Sequence, residues 1–151
     1  ICRAIKILAN KYNDLAFVFP VHPNPNVKNV VFSKLSRCPR VHLVEPMDYT
    51  ELVYILKRCK IVLTDSGGLQ EEAPAFGKPV LVMRSETERP EGILAGVARL
   101  IGTETKDIVN NVVELLTKPN VYASMNKAVN PYGDGLAAQR IVRILRKTIK
   151  L

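Results

Sequence analysis

Ile61-Val-Leu-Thr-Asp-Ser-Gly-Gly-Leu-Gln-Glu-Glu-Ala-Pro74 decides the fold. A short apolar run, long enough for a strand and too short for a helix, enters Asp-Ser-Gly-Gly and leaves it with helical character. A strand that runs directly into a helix directs unpaired backbone N–H groups and the positive helix end at whatever lies beyond the strand, which suits an anion. Gly67 and Gly68 have no Cβ to hold a phosphate away from the main chain. The Ser66 hydroxyl adds a donor or caps the helix. Glu72 follows Gly68 by four residues, on the same helical face, where its carboxylate is placed for sugar hydroxyls rather than phosphate. The competing reading is structural: Asp65 and Ser66 only cap a helix that Pro74 kinks.

The same alternation extends in both directions. Helical spacing covers 1–12, about 27–37, about 49–58 and a stretch opening near Gly68, with a short turn near Pro90. Strand-like runs fall at 15–19, 41–44, 61–64, 80–83 and 98–101. Strands separated by helices, without hairpin signals, pair in parallel through right-handed crossovers. The expectation is a Rossmann-like three-layer α/β/α fold, an open parallel sheet with both faces covered. Beyond residue 104 the pattern is helical only, at 107–116, 120–128 and 135–147, and Asn130-Pro-Tyr-Gly-Asp-Gly135 reads as a structured turn. With 151 residues and no linker or repeat, one domain is expected, burying about 68–70% of its unfolded surface.

Composition excludes several classes. Hydrophobic residues at 47% and charged residues at 24% are ordinary for a globular chain and argue against wholesale disorder. The net charge of +8 suggests nucleic acid until it is mapped: residues 1–40 carry +6, 41–117 carry −4, and 118–151 carry +6. The excess lies on flanking helical patterns without interleaved aromatics, so a solvated face, and no nucleic-acid partner, is expected. No apolar run approaches membrane-spanning length. Cys2, Cys38 and Cys59 lack CxxC spacing and nearby histidines, which favours idle thiols in the cytoplasm over a disulfide or zinc site. The chain opens on Ile-Cys-Arg, with no signal-peptide pattern, and reads as a piece of a longer protein.

Two more loops follow strand ends, the edge where open parallel sheets bind ligands. In Phe19-Pro-Val-His-Pro-Asn-Pro-Asn26 three prolines stiffen a loop presenting His22, either for a phosphate contact or proton transfer, or as an ordinary surface histidine. In Met83-Arg-Ser-Glu-Thr-Glu-Arg-Pro-Glu-Gly92 mixed charges suit a self-paired loop that leaves one arginine free for phosphate. His42 alternates with Val41 and Leu43 within a strand, which favours a structural role.

The segments Pro-Val-His-Pro-Asn-Pro, Glu-Pro-Met-Asp-Tyr, Leu-Thr-Asp-Ser-Gly-Gly-Leu-Gln-Glu-Glu-Ala-Pro, Gly-Lys-Pro-Val-Leu-Val-Met-Arg, Thr-Glu-Arg-Pro-Glu and Asn-Pro-Tyr-Gly-Asp-Gly occur in this order. Together they resemble the non-hydrolysing bacterial and archaeal UDP-N-acetylglucosamine 2-epimerases across essentially the whole chain. The resemblance implies the second domain of a glycosyltransferase-B-type architecture, without its first strand and its N-terminal partner domain. It implies interconversion of UDP-N-acetylglucosamine and UDP-N-acetylmannosamine by elimination and re-addition of UDP, with no cofactor and no metal. It also implies a cytoplasmic enzyme of cell-surface polysaccharide biosynthesis, a homodimer when full-length.

Residue by residue, the resemblance implies that His22 contacts the phosphates and assists departure of UDP. Ser66, Gly67 and Gly68 would hold the diphosphate, Glu72 the ribose, and Arg89 a further part of the substrate. The Met47 backbone would pair with uracil and Leu52 pack on it, although a leucine there removes aromatic stacking. His42 falls at an allosteric UDP-sugar site of some members. The acidic groups that move the C2 proton belong to the other domain, so the chain alone is expected to be inactive. Two other classes compete: the donor-nucleotide domain of a UDP-sugar glycosyltransferase, and a basic nucleic-acid-binding module. The Thr-Glu-Arg-Pro-Glu and Asn-Pro-Tyr-Gly-Asp-Gly segments argue against the first, and the charge map against the second.

Overall fold

A computed structural model describes residues 1–149. Helix α1 (Cys2–Lys11) leads into strand β1 (Phe17–Pro20), then α2 (Pro25–Leu35), β2 (Val41–Val44), α3 (Tyr49–Arg58) and β3 (Val62–Thr64). Next come α4 (Gly67–Glu72), a 3₁₀ turn (Ala73–Phe76), β4 (Val80–Val82), α5 (Pro90–Leu94) and β5 (Ala98–Leu100). Three helices complete the described residues: α6 (Thr105–Thr117), α7 (Pro119–Asn126) and α8 (Ala137–Ile149). The order is the α/β alternation expected, with α2 starting at Pro25 because Asn24 caps it by accepting the Asn26 N–H. Asp48 and Glu51 close a capping box that starts α3.

All strand pairing is parallel, but the strands form two sheets rather than one. One holds β1 and β2; the other runs β3-β4-β5. The hydrogen bonds explain where the break falls. Phe17 and Val21 donate to Arg40 and Val44 on the β2 side, so the backbone of Val18 between them faces away from β2. On β3, Val62 donates to Pro79 and Thr64 accepts from Met83, so Leu63 likewise faces away from β4. No backbone pairing joins β1 to β3 among the described residues.

Helix α1 sits astride this break. Its Ala4 and Leu8 join Leu81 of β4 with Ile108, Val112 and Leu115 of α6. Its Ile5 and Ala9 join Val31 and Leu35 of α2 instead. The far face of the three-stranded sheet is covered by Leu56 and Ala73 over Val62, Val80, Val82 and Ala98. The expectation that both faces of the first strand are covered is not met: Val18 is 41% exposed, and its register partner His42 is exposed beside it. A two-stranded sheet with one helical layer has only one face to bury. Helix α8 is amphipathic, yet none of its residues is buried.

Candidate functional site

Two loops meet at the start of α4. The Ser66 N–H donates to Thr64 Oγ1 at 3.0 Å, which turns the chain out of β3 and engages that amide. The amides left without a helical partner are then those of Gly67, Gly68 and Leu69. Ser66 holds the N-cap position, but its side chain makes no capping bond, so the purely structural reading of the hydroxyl fails. The α-helix is only six residues long and passes into the 3₁₀ turn at Ala73. Its open amides, rather than a long macrodipole, are therefore what it offers an anion.

Glu72 arrives where helical spacing put it. A Cβ placed on Gly68 would stand 3.7 Å from Glu72 Oε1 and 3.8 Å from Ser66 Oγ. Glu72 Oε2 is buried and has no hydrogen-bond partner, an arrangement that costs free energy unless something else completes it.

The loop after β4 supplies the opposite side. Arg84 Nη1 pairs with Glu88 Oε2 at 2.6 Å, and Arg89 Nε pairs with Glu71. The expectation of one free arginine is thus corrected, because Glu71 leaves α4 toward the start of α5 and meets Arg89 there. The Glu71 hydrogen bond raises the Arg89 pKa. Its own backbone N–H, aided by Arg84 and Arg89, holds the Glu88 carboxyl below the usual range. A Cβ on Gly67 would come within 2.9 Å of Glu88 Oε1 and 3.9 Å of Arg89 Nη2, so both side chains lie directly over that glycine.

Gln70, Thr87 and Tyr132 escaped the sequence reading. Gln70 is fully buried; its Nε2 donates to Ser66 O at 3.2 Å, and its Oε1 accepts the Thr87 hydroxyl at 2.6 Å. Thr87 Oγ1 accepts the Arg89 N–H at 3.1 Å. A single polar chain therefore ties the Ser66 turn to the arginine loop. The available signal was a glutamine three residues before Ala73 on the buried helical face. Tyr132 extends the arrangement: its ring lies on Gly92, where an added Cβ would stand 2.6 Å from Oη. The turn that carries it is ordered as expected, with the Tyr132 N–H donating to Asn130 Oδ1 and Asp134 pairing with Arg140.

The remaining expected residues are more dispersed. His22 is exposed just after β1, its Nδ1 accepting the Asn24 N–H at 3.2 Å. The neutral ring then carries its proton on Nε2. No hydrogen bond or ion pair among the described residues links it to Ser66. Leu52 is half-buried and packs on the cluster containing Ala73, next to Glu72 in the chain. Met47 is half-buried in the turn before α3. His42 stands on the open face of β2, away from any of these bonds. Among the described residues no three His, Cys, Asp or Glu side chains converge as a metal site would require.

Comparison with known proteins places the chain. A family model described as UDP-N-acetylglucosamine 2-epimerase matches residues 1–146. UDP-N-acetylglucosamine 2-epimerase of Escherichia coli K12 is 47% identical over 97% of this chain, which spans 39% of that protein. The S. aureus MnaA structure with UDP is 44% identical, with a TM-score of 0.93 over 99% of this chain and 41% of that one. The Neisseria meningitidis UDP-GlcNAc 2-epimerase bound to UDP-GlcNAc is 46% identical, with a TM-score of 0.92 over 97% of this chain and 40% of that one. The chain therefore spans about two fifths of the relatives it matches, and on its sequence and its parallel α/β fold alike it belongs to the UDP-N-acetylglucosamine 2-epimerase family.

Proposed function

We propose that these 151 residues are the C-terminal, UDP-binding part of an enzyme that interconverts UDP-N-acetylglucosamine and UDP-N-acetylmannosamine. The observation that carries the reading is the buried, unpartnered Glu72 Oε2 beside the uncapped Ser66 hydroxyl and the open amides of Gly67 and Gly68. A diphosphate suits the amides and the hydroxyl; two ribose hydroxyls suit the carboxylate. Leu52 of α3 packs against the cluster containing Ala73, Met47 lies in the loop just before α3, and both are assigned to the base beyond the ribose. His22, exposed and with its proton on Nε2, is assigned as a donor for the departing diphosphate, and Arg89 as a cation for it. His42, exposed on a separate face, is assigned to a regulatory UDP-sugar contact.

In the proposed reaction the C2 proton is removed as UDP leaves C1, giving a glycal, and UDP and a proton then return with C2 inverted. The carboxylates of this site are poorly placed to take that proton: Glu72 is assigned to ribose, and Glu71 and Glu88 are paired with arginines. The acid and base are therefore assigned to an N-terminal domain facing this one. The unpaired edges of β1 and β3 support the companion proposal that a further strand lies between them, with α1 as its crossover to β1. The three free cysteines suit a reducing compartment, the cytoplasm, and no described helix is long and apolar enough to cross a membrane. A homodimer of the full-length protein is testable by light scattering.

The test of the binding reading is Glu72→Ala. Loss of a charge-assisted hydrogen bond costs about 1.5–3 kcal/mol, roughly 10- to 150-fold in affinity. Calorimetry should show that loss for UDP and little change for pyrophosphate, which carries no ribose. Unchanged UDP affinity would remove the ribose assignment.

A further inference from the structure

The Glu88 carboxylate lies over Gly67, in the space that the proposed diphosphate would enter. Its Oε1 would come within 2.9 Å of a Gly67 Cβ, while its Oε2 is 2.6 Å from Arg84 Nη1. Arg89 Nη2 lies over the same glycine, and its Nε is engaged by Glu71. Both cations of the loop are thus paired with carboxylates of this chain, and one of those carboxylates stands over Gly67, the first glycine of the proposed anion site. Glu88 is held there by Arg84, to which it offers part of what a phosphate would supply.

We propose that Glu88 is a built-in place-holder for the diphosphate, and that UDP binds by displacing it, taking over Arg84 and Arg89 from Glu88 and Glu71. The proposal rests on the reading of Ser66–Gly68 as the diphosphate site. The exchange is favourable for a diphosphate, which brings several negative charges and bidentate geometry against a single carboxylate. It discriminates against ligands with too little charge to move the loop. The loop is anchored for such a movement, since Gln70 and Thr87 hold its base to the Ser66 turn while the Glu88 side chain is 51% exposed and free to swing out.

The plain alternative is that Arg84 and Glu88 form an ordinary surface ion pair with no bearing on binding. Glu88→Gln separates the two, because it keeps the shape and removes the charge at an exposed position. Calorimetric titration of the chain and of Glu88→Gln with UDP, pyrophosphate and uridine is the experiment. Displacement predicts that the variant binds UDP and pyrophosphate about 3- to 5-fold more tightly, as removal of a partly exposed charge pair implies, with uridine unchanged. The gain should shrink in 0.5 M salt, where the Debye length falls to a few ångströms (about 3–5 Å). Equal or weaker UDP binding by the variant overturns the place-holder, as does a gain for uridine as large as that for UDP. Tighter pyrophosphate with no UDP binding by either protein keeps the exchange and removes the nucleotide reading. Failure of both proteins to bind either phosphate ligand removes both.

Discussion

At the scale of single residues, the site depends on glycines whose missing Cβ is filled by a neighbour. Gly92 makes this testable. A methyl group there would stand 2.6 Å from Tyr132 Oη but 3.5 Å from Tyr132 Cζ, which is ordinary contact. Gly92→Ala should therefore drive Tyr132 out and loosen α5, whose preceding residue is Arg89, weakening UDP binding. Adding Tyr132→Phe removes only the clashing oxygen, which has no hydrogen-bond partner to lose. The double variant should then recover most of the stability and UDP affinity in urea melts and titrations. Failure of Phe to rescue would mean that the glycine is required for its backbone and not for the tyrosine. At the same scale the placement of Glu72 and Ser66 beside Gly68 was legible from the sequence, because it follows from helical spacing and the strand-to-helix turn. The pairing of Glu88 with Arg84 inside its own loop agrees with the mixed charges there, whereas the pairing of Glu71 with Arg89 was not legible, because it is set by how the 84–89 loop folds over α4.

At the scale of elements, α6 and α8 have similar lengths and amphipathic patterns but opposite fates. Ile108 of α6 is fully buried against α1 and β4, whereas Ile144 and Leu145 of α8 are 62% and 48% exposed. Ile108→Ala should cost about 2–5 kcal/mol of folding stability. Ile144→Gln should change it by no more than about 0.5 kcal/mol, since it removes no buried contact. Urea midpoints of the two variants measure the difference; a large loss for Ile144→Gln would place α8 in the core after all. Periodicity placed both helices correctly, because an apolar stripe marks a helix whether or not anything covers it. It carries no information on what lies opposite.

At the scale of the whole molecule, the divided sheet and the paired carboxylates lead to one expectation. General acid–base help is typically worth 10²- to 10⁴-fold and needs a group within hydrogen-bond reach of sugar C2. The carboxylates grouped around Gly67 and Gly68 are assigned to ribose or engaged by arginine, and the wall that would exclude water is assigned to the proposed N-terminal domain. The chain incubated with UDP-N-acetylglucosamine in deuterated water should give neither epimer nor deuterium at C2, followed by proton NMR. Exchange near the rate of a full-length family member would show that the acid and base lie within these residues.

What the amino-acid order determined alone was local: five strands, the helices between them, their parallel sense and the strand-to-helix turn at Ser66. These follow from apolar periodicity, from caps such as Asn24 and Asp48, and from glycines where a Cβ would intrude. Tertiary structure decided the rest, namely the break between β1 and β3, the open face bearing Val18 and His42, and the carboxylate lying over Gly67. Backbone pairing depends on which strand edges meet, and ion pairs on which loops converge. Both are distances between residues far apart in the chain, and side-chain spacing along a strand or helix does not encode them.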